Sequence, residues 1–158
     1  MSGAIDRFLD AARARGLTAE LRRFPEGTKT AEDAAQAIGC EVSQIVKSLV
    51  FMADGRAVMA YTSGANRVDE RKLASLVGVE EVRRASPDEA RAATGFAVGG
   101  TPPFGHSAVL TSFVDPDLLV WDEIWAAAGT PDSVFPLTPS DLRRVTGAST
   151  GDFVVDRG

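Results

Sequence analysis

Apolar residues recur at helical spacing at the start of the chain. Ile5, Phe8, Leu9 and Ala12 share one face and Gly16 supplies a stop, which predicts an amphipathic helix over 4–15. Thr18 to Phe24 alternates as a strand does, and Pro25-Glu26-Gly27 turns the chain. Thr30 is an N-cap for a second helix, Ala31 to Ile38, with Asp33 partly imitating a capping box and Gly39 ending it. The β-rich runs Ile45–Met52 and Ala57–Thr62, joined through Ala53-Asp54-Gly55-Arg56, predict a hairpin over 45–62. Asp69 to Val77 is a helix with Leu73, Leu76 and Val77 inward, and Glu81 to Arg84 a short strand. Ser86-Pro87-Asp88-Glu89 opens a helix that closes at Gly95. Phe96-Ala97-Val98 is strand-like, residues 108–114 form a strand, and Pro116 to Leu119 a short helical turn. Leu119 to Ala127, with both tryptophans, fits strand or helix and is read as a strand; Phe135-Pro136-Leu137 is extended, Thr138-Pro139-Ser140 starts a last helix, and Phe153-Val154-Val155 is an edge strand. With no repeat or linker, these elements predict one mixed α/β domain spanning residues 1–158.

Two places break this pattern. Between Phe96 and His106 the chain packs Gly99, Gly100, Gly105, Pro102, Pro103 and its only histidine into eleven residues. Glycine permits close backbone approach and proline stiffens a corner, so the loop suits a ligand wall as well as a plain turn. The second is Lys47. Its strand reads Ile45, Lys47, Leu49, Phe51 on one face and Val46, Ser48, Val50 on the other, mainly apolar on both. A cation there snorkels, pairs with a distant carboxylate, or meets a ligand. Only three lysines stand against fourteen arginines, so this one is not generic surface composition. A lone histidine such as His106 is more often a hydrogen-bonded structural group than a catalyst, and only its place at the end of the loop favours more.

Composition narrows the classes. At 158 residues with 44% hydrophobic and 25% charged positions, the chain is an ordinary globular domain. No apolar run reaches membrane-span length, and no membrane partner is expected. The single cysteine, Cys40, permits no internal disulfide; with no signal-peptide pattern at the start, a reducing cytoplasm is expected. One histidine and one cysteine cannot make the usual zinc set, although carboxylate-only sites stay open; no metal and no cofactor is expected. A net charge of −5 argues against bulk duplex binding, while contact with a nucleic-acid end stays open.

Three segments together, Gln44 to Phe51, Arg67 to Leu73 and Gly99 to Gly105, resemble the YbaK and prolyl-tRNA synthetase-associated domain family across roughly residues 28–155. The resemblance implies an α/β fold of the α+β type, a mixed, partly closed β-sheet wrapped by helices. It also implies a freestanding aminoacyl-tRNA deacylase that hydrolyses the ester of a small amino acid wrongly attached to tRNA, proline tRNA foremost. Carried over by position, the family's essential lysine falls on Lys47 and the neighbouring hydroxyl residue on Ser48. Its substrate loop falls on Gly99 to Pro103, with Gly99 and Gly100 as donors to the ester carbonyl. Thr101, Pro102, Pro103, Phe104, Gly105 and His106 then belong to the substrate-binding side. Pro102 stands where a small hydroxyl residue is common in members acting on alanine or cysteine esters, so the amino acid is not named by the likeness. Expected partners are the aminoacyl-tRNA acceptor end and, given the acidic charge, prolyl-tRNA synthetase or an elongation factor. Two alternatives remain: an amino-acid- or nucleotide-binding module without hydrolysis, and a Schiff-base lysine enzyme acting on a small carbonyl substrate.

Overall fold

A computed structural model describes residues 3–24 and 30–156. The predicted turn Pro25-Glu26-Gly27 lies outside the described residues.

Local signals set most element ends. Helix α1 (Ala4–Ala14) is followed by β1 (Arg22–Arg23), α2 (Ala31–Ile38), and the hairpin β2 (Val46–Ala53) and β3 (Arg56–Ser63). Then come α3 (Glu70–Val77), β4 (Arg83–Arg84), α4 (Pro87–Thr94), β5 (Thr111–Val114), β6 (Ile124–Ala127), β7 (Ser133–Leu137), α5 (Pro139–Thr146) and β8 (Ser149–Thr150). The side chains of Thr30, Asp69, Ser86 and Thr138 each accept a backbone N–H of the helix they open. At Ser86 the Glu89 carboxylate returns the bond, completing a capping box. The hairpin turns on Asp54 (φ 50°) and Gly55 (φ 79°), the double left-handed pair that matches strand twist.

Two sheets result. The larger has the order β4-β2-β3-β5-β8, antiparallel from β4 to β3 and parallel from β3 to β8; the smaller has the order β1-β7-β6. They touch through one parallel bridge, Ile45 with Trp125. The main core lies between them and under α1, where the Phe8 ring sits 5.4 Å from Phe104 and 4.6 Å from Phe135. A second core joins the other face of the larger sheet to α3 through Phe51, Val58, Leu73 and Phe153. A third places α2 over Ile45, Trp125 and Val134. The result is the single α/β domain, with a mixed, partly open sheet wrapped by helices, that the sequence predicts.

Several details depart from expectation. Residues 96–98 and 108–110 form no strand; Val98 turns through a bend and Val109 is fully exposed. Each run is apolar but joins neither sheet, and a lone strand leaves its amides unpaired. The strand over 18–24 shrinks to Arg22–Arg23, and that over 119–127 to Ile124–Ala127. The late edge strand is β8, while Val154 makes only an isolated bridge with Val68. Leu76, expected inward on α3, is exposed.

Candidate functional site

The seam between the two sheets is open beyond the Ile45–Trp125 bridge. There the exposed edge of β2, residues 45–50, faces Trp125 to Ala127 across a cavity of about 520 Å³. Helix α2 closes one side with Thr30, Ala31 and Ala34, and Val98, Gly99 and Thr101 close another. Arg84, Ala85 and Ala90 border the end where β4 joins β2. No Asp or Glu lines the cavity among the described residues.

Lys47 is the charge at its wall. The side chain is half-buried and its Nζ donates to the Asn66 carbonyl at 2.5 Å. Burial pushes the ammonium below its ordinary pKa; Arg84 and Arg67 push the same way, and Glu32 and Asp115 oppose them. Asn66 is itself held. Its side-chain nitrogen donates to Asp115 and Asp117, each at 2.8 Å, and the fully buried Asp115 also accepts the amide of Ser63 at 3.0 Å. A buried carboxylate thus sets the loop whose carbonyl orients the lysine.

The sequence-selected residues divide. Lys47, Ser48, Gly99 and Thr101 line the cavity. Gly100, Pro102, Pro103, Phe104, Gly105 and His106 lie beyond the lining. Gly100 donates its amide to Ala97 at 3.0 Å and its carbonyl accepts from Gly129 at 3.0 Å. A Cβ there would lie 2.7 Å from Thr130 Cα, so its want of a side chain serves close packing of the loop on the β6–β7 connection. The Pro103 carbonyl accepts the Tyr61 hydroxyl, and Phe104 is core. Gly105 packs on Ala11 of α1. His106 Nε2 donates to the Pro102 carbonyl at 2.7 Å, and burial holds the imidazole below its ordinary pKa. The half of the loop after Thr101 is drawn inward by Phe104 stacking under α1, and only the glycine half borders open space.

Sequence reasoning missed Trp125, Ala126, Ala31, Ala34 and Arg84. The first four are apolar positions indistinguishable in sequence from core. Arg84 reads as one of a solvated pair, yet it stands 5.6 Å over the Phe51 ring and lines the cavity. Arg22 likewise lies 4.8 Å over the Trp125 ring.

Chemically the site offers a positioned cation, main-chain polar groups and hydroxyls in a largely apolar cleft. The Thr30, Thr101 and Ser133 hydroxyls are engaged locally. The Ser48 hydroxyl is shielded and has no hydrogen-bond partner among the described residues. His106, on the far side of the loop, makes no Ser–His pair with any of them. Such a site suits binding and polarising an already activated ester more than generating a side-chain nucleophile.

The pattern of the aminoacyl-tRNA editing domain family matches residues 25–145. A solved structure described as a candidate trans-editing enzyme for prolyl tRNA synthetase superposes with a TM-score of 0.92 at 44% identity, covering 99% of each chain. An uncharacterized protein of Bacillus subtilis, YwhH, is 31% identical over 78% of both chains. A proline–tRNA ligase of Nitratidesulfovibrio vulgaris is 34% identical over 66% of this chain, which spans only 18% of the ligase.

Proposed function

The chain belongs to the aminoacyl-tRNA editing domain family, and from that premise we propose that it hydrolyses, in trans, the ester of mischarged aminoacyl-tRNA. The substrate in this reading is a small amino acid carried by proline tRNA, and the chemistry belongs in the cytoplasm. The observation that carries it is Lys47, held by a carbonyl at the wall of a cleft that no described carboxylate lines. A terminal-nucleotide phosphate is the anion such a lysine suits. The ester needs no activation beyond polarisation of its carbonyl and a placed water, oriented by the loop backbone or the substrate's ribose hydroxyl. Selection by size answers a real limit. A synthetase pocket rejects a smaller side chain by only about 1–3 kcal/mol per methylene, so a second hydrolytic site restores fidelity. The acidic surface predicts weak intrinsic affinity for tRNA, so delivery by prolyl-tRNA synthetase or an elongation factor completes the proposal.

The test is a panel of mischarged tRNAs incubated with the protein and with Lys47→Ala. At least one small-amino-acid ester is expected to be hydrolysed well above its buffer rate, with the loss of Lys47 costing about 100-fold or more. Hydrolysis of none, or full activity in Lys47→Ala, overturns the reading.

A further inference from the structure

Main-chain direction along β2 can be read from two bonds. Gly64 N donates to Ile45 O at 2.7 Å, so the odd-numbered residues direct their N–H and C=O groups toward β3. Ala85 N donates to Val50 O at 3.0 Å, so the even-numbered residues direct theirs the other way. On that second side β4 pairs only with Phe51 and Met52, and the smaller sheet only with Ile45. Between these two contacts the N–H and C=O of Ser48 open on the cavity, with no partner among the described residues. An unpaired strand edge inside a cleft is a template for one more strand.

We propose that the aminoacyl group of the substrate docks on this edge as a single strand residue. Its ester carbonyl accepts the Ser48 N–H, and its α-ammonium donates to the Ser48 carbonyl. The inference rests on the deacylase reading and adds how the amino acid is held. An extended amino acid presents its nitrogen and its carbonyl on one side, as a strand residue does, so both bonds form at once. With no carboxylate on the wall, a main-chain oxygen is the acceptor the ammonium requires. Gly100 has its amide committed within its own turn, so β2 contributes a donor that this glycine does not.

Handedness follows. Residues directly opposite on paired strands share a face, so an L side chain falls on the side of Val46, Ser48 and Val50, walled by Ala85, Ala90 and Ala126. That is a small apolar recess. A D side chain is sent to the Lys47 face instead.

The experiment compares L-alanyl, D-alanyl and propionyl esters of one proline tRNA, each rate divided by its own buffer rate. Replacing residue 48 by its α-hydroxy acid counterpart then turns the amide N–H into an ester oxygen. The D-alanyl and propionyl esters are expected to lose about ten-fold or more in kcat/KM, and the α-hydroxy variant a similar factor in kcat on the L-alanyl ester. Equal rates for propionyl and L-alanyl, or for the two enantiomers, overturn the docking while leaving the deacylase reading standing. Hydrolysis of no ester in the wider panel of mischarged tRNAs removes both. Should the α-hydroxy variant fail to fold, as its melting curve reports, the three esters decide alone.

Discussion

Lys47 and His106 show how differently two unusual residues can be settled by what surrounds them. Lys47 stands out in sequence because its strand is apolar on both faces, a purely local signal. Its partner does not stand out: a carbonyl nineteen positions later, set in place by Asp115, was legible only once the chain had folded. His106 drew notice for its place beside the glycine–proline loop, yet its nitrogen spends itself on Pro102, away from the cavity. Its consequence is for stability. Burial holds the folded imidazole below its ordinary pKa, with Arg15 adding to the effect and the Pro102 bond opposing it. The unfolded chain therefore binds a proton near pH 6.5 while the folded chain still resists it. Stability thus falls as pH is lowered through 6.5, and the loss is complete below the folded pKa. Thermal melts at pH 7.5 and 5.5 should show the parent losing more than His106→Gln, which can keep a bond to the carbonyl but does not titrate. An equal loss in the two proteins refutes the assignment.

Helix ends were readable at the scale of elements because a cap is made within four residues. Thr30 reads as an N-cap in sequence and bonds as one, and Asp69, Ser86 and Thr138, which mark helix starts in sequence, cap their helices too. Strands need a neighbour. Phe96 to Val98 and Ala108 to Leu110 have the composition of strands, but neither pairs with a strand among the described residues, and both remain irregular. The loop between them is organised by contacts with the β6–β7 connection and with α1, which no local pattern foretells. Gly100 is where that packing is tightest. Gly100→Ala should cost about 1–3 kcal/mol in urea unfolding, because the added methyl meets the Thr130 backbone, which cannot swing aside. A change below about 0.5 kcal/mol would show that the connection yields there.

Across the whole molecule, the fold class was legible and the cavity was not. Hydrophobic periodicity tells which faces are buried; it does not tell which two buried faces fail to meet. The cleft walls come from residues near 30, 45–50, 84–90, 98–101 and 125–134, brought together only by the order of the two sheets. Separate cores accompany separate tasks. Phe153 is fully buried in the cluster shared by α3 and the hairpin, away from the cavity lining. Phe153→Ala is expected to destabilise by about 3–5 kcal/mol in denaturant titration. Hydrolysis per folded molecule should stay within about two-fold of the parent. A large loss in that corrected rate would mean that the two cores are coupled.

The parallel run from β3 through β5 to β8 also has a consequence for birth on the ribosome. The β2–β3 hairpin closes over two residues and can form as soon as it emerges. Strand β5 must wait for some fifty more residues, and β8 for nearly forty beyond that. Synthesis at about 5–20 residues per second leaves the hairpin with one flank uncovered for seconds. For that interval the nascent chain carries the same kind of open strand edge that the finished protein keeps beside its cavity at Ser48.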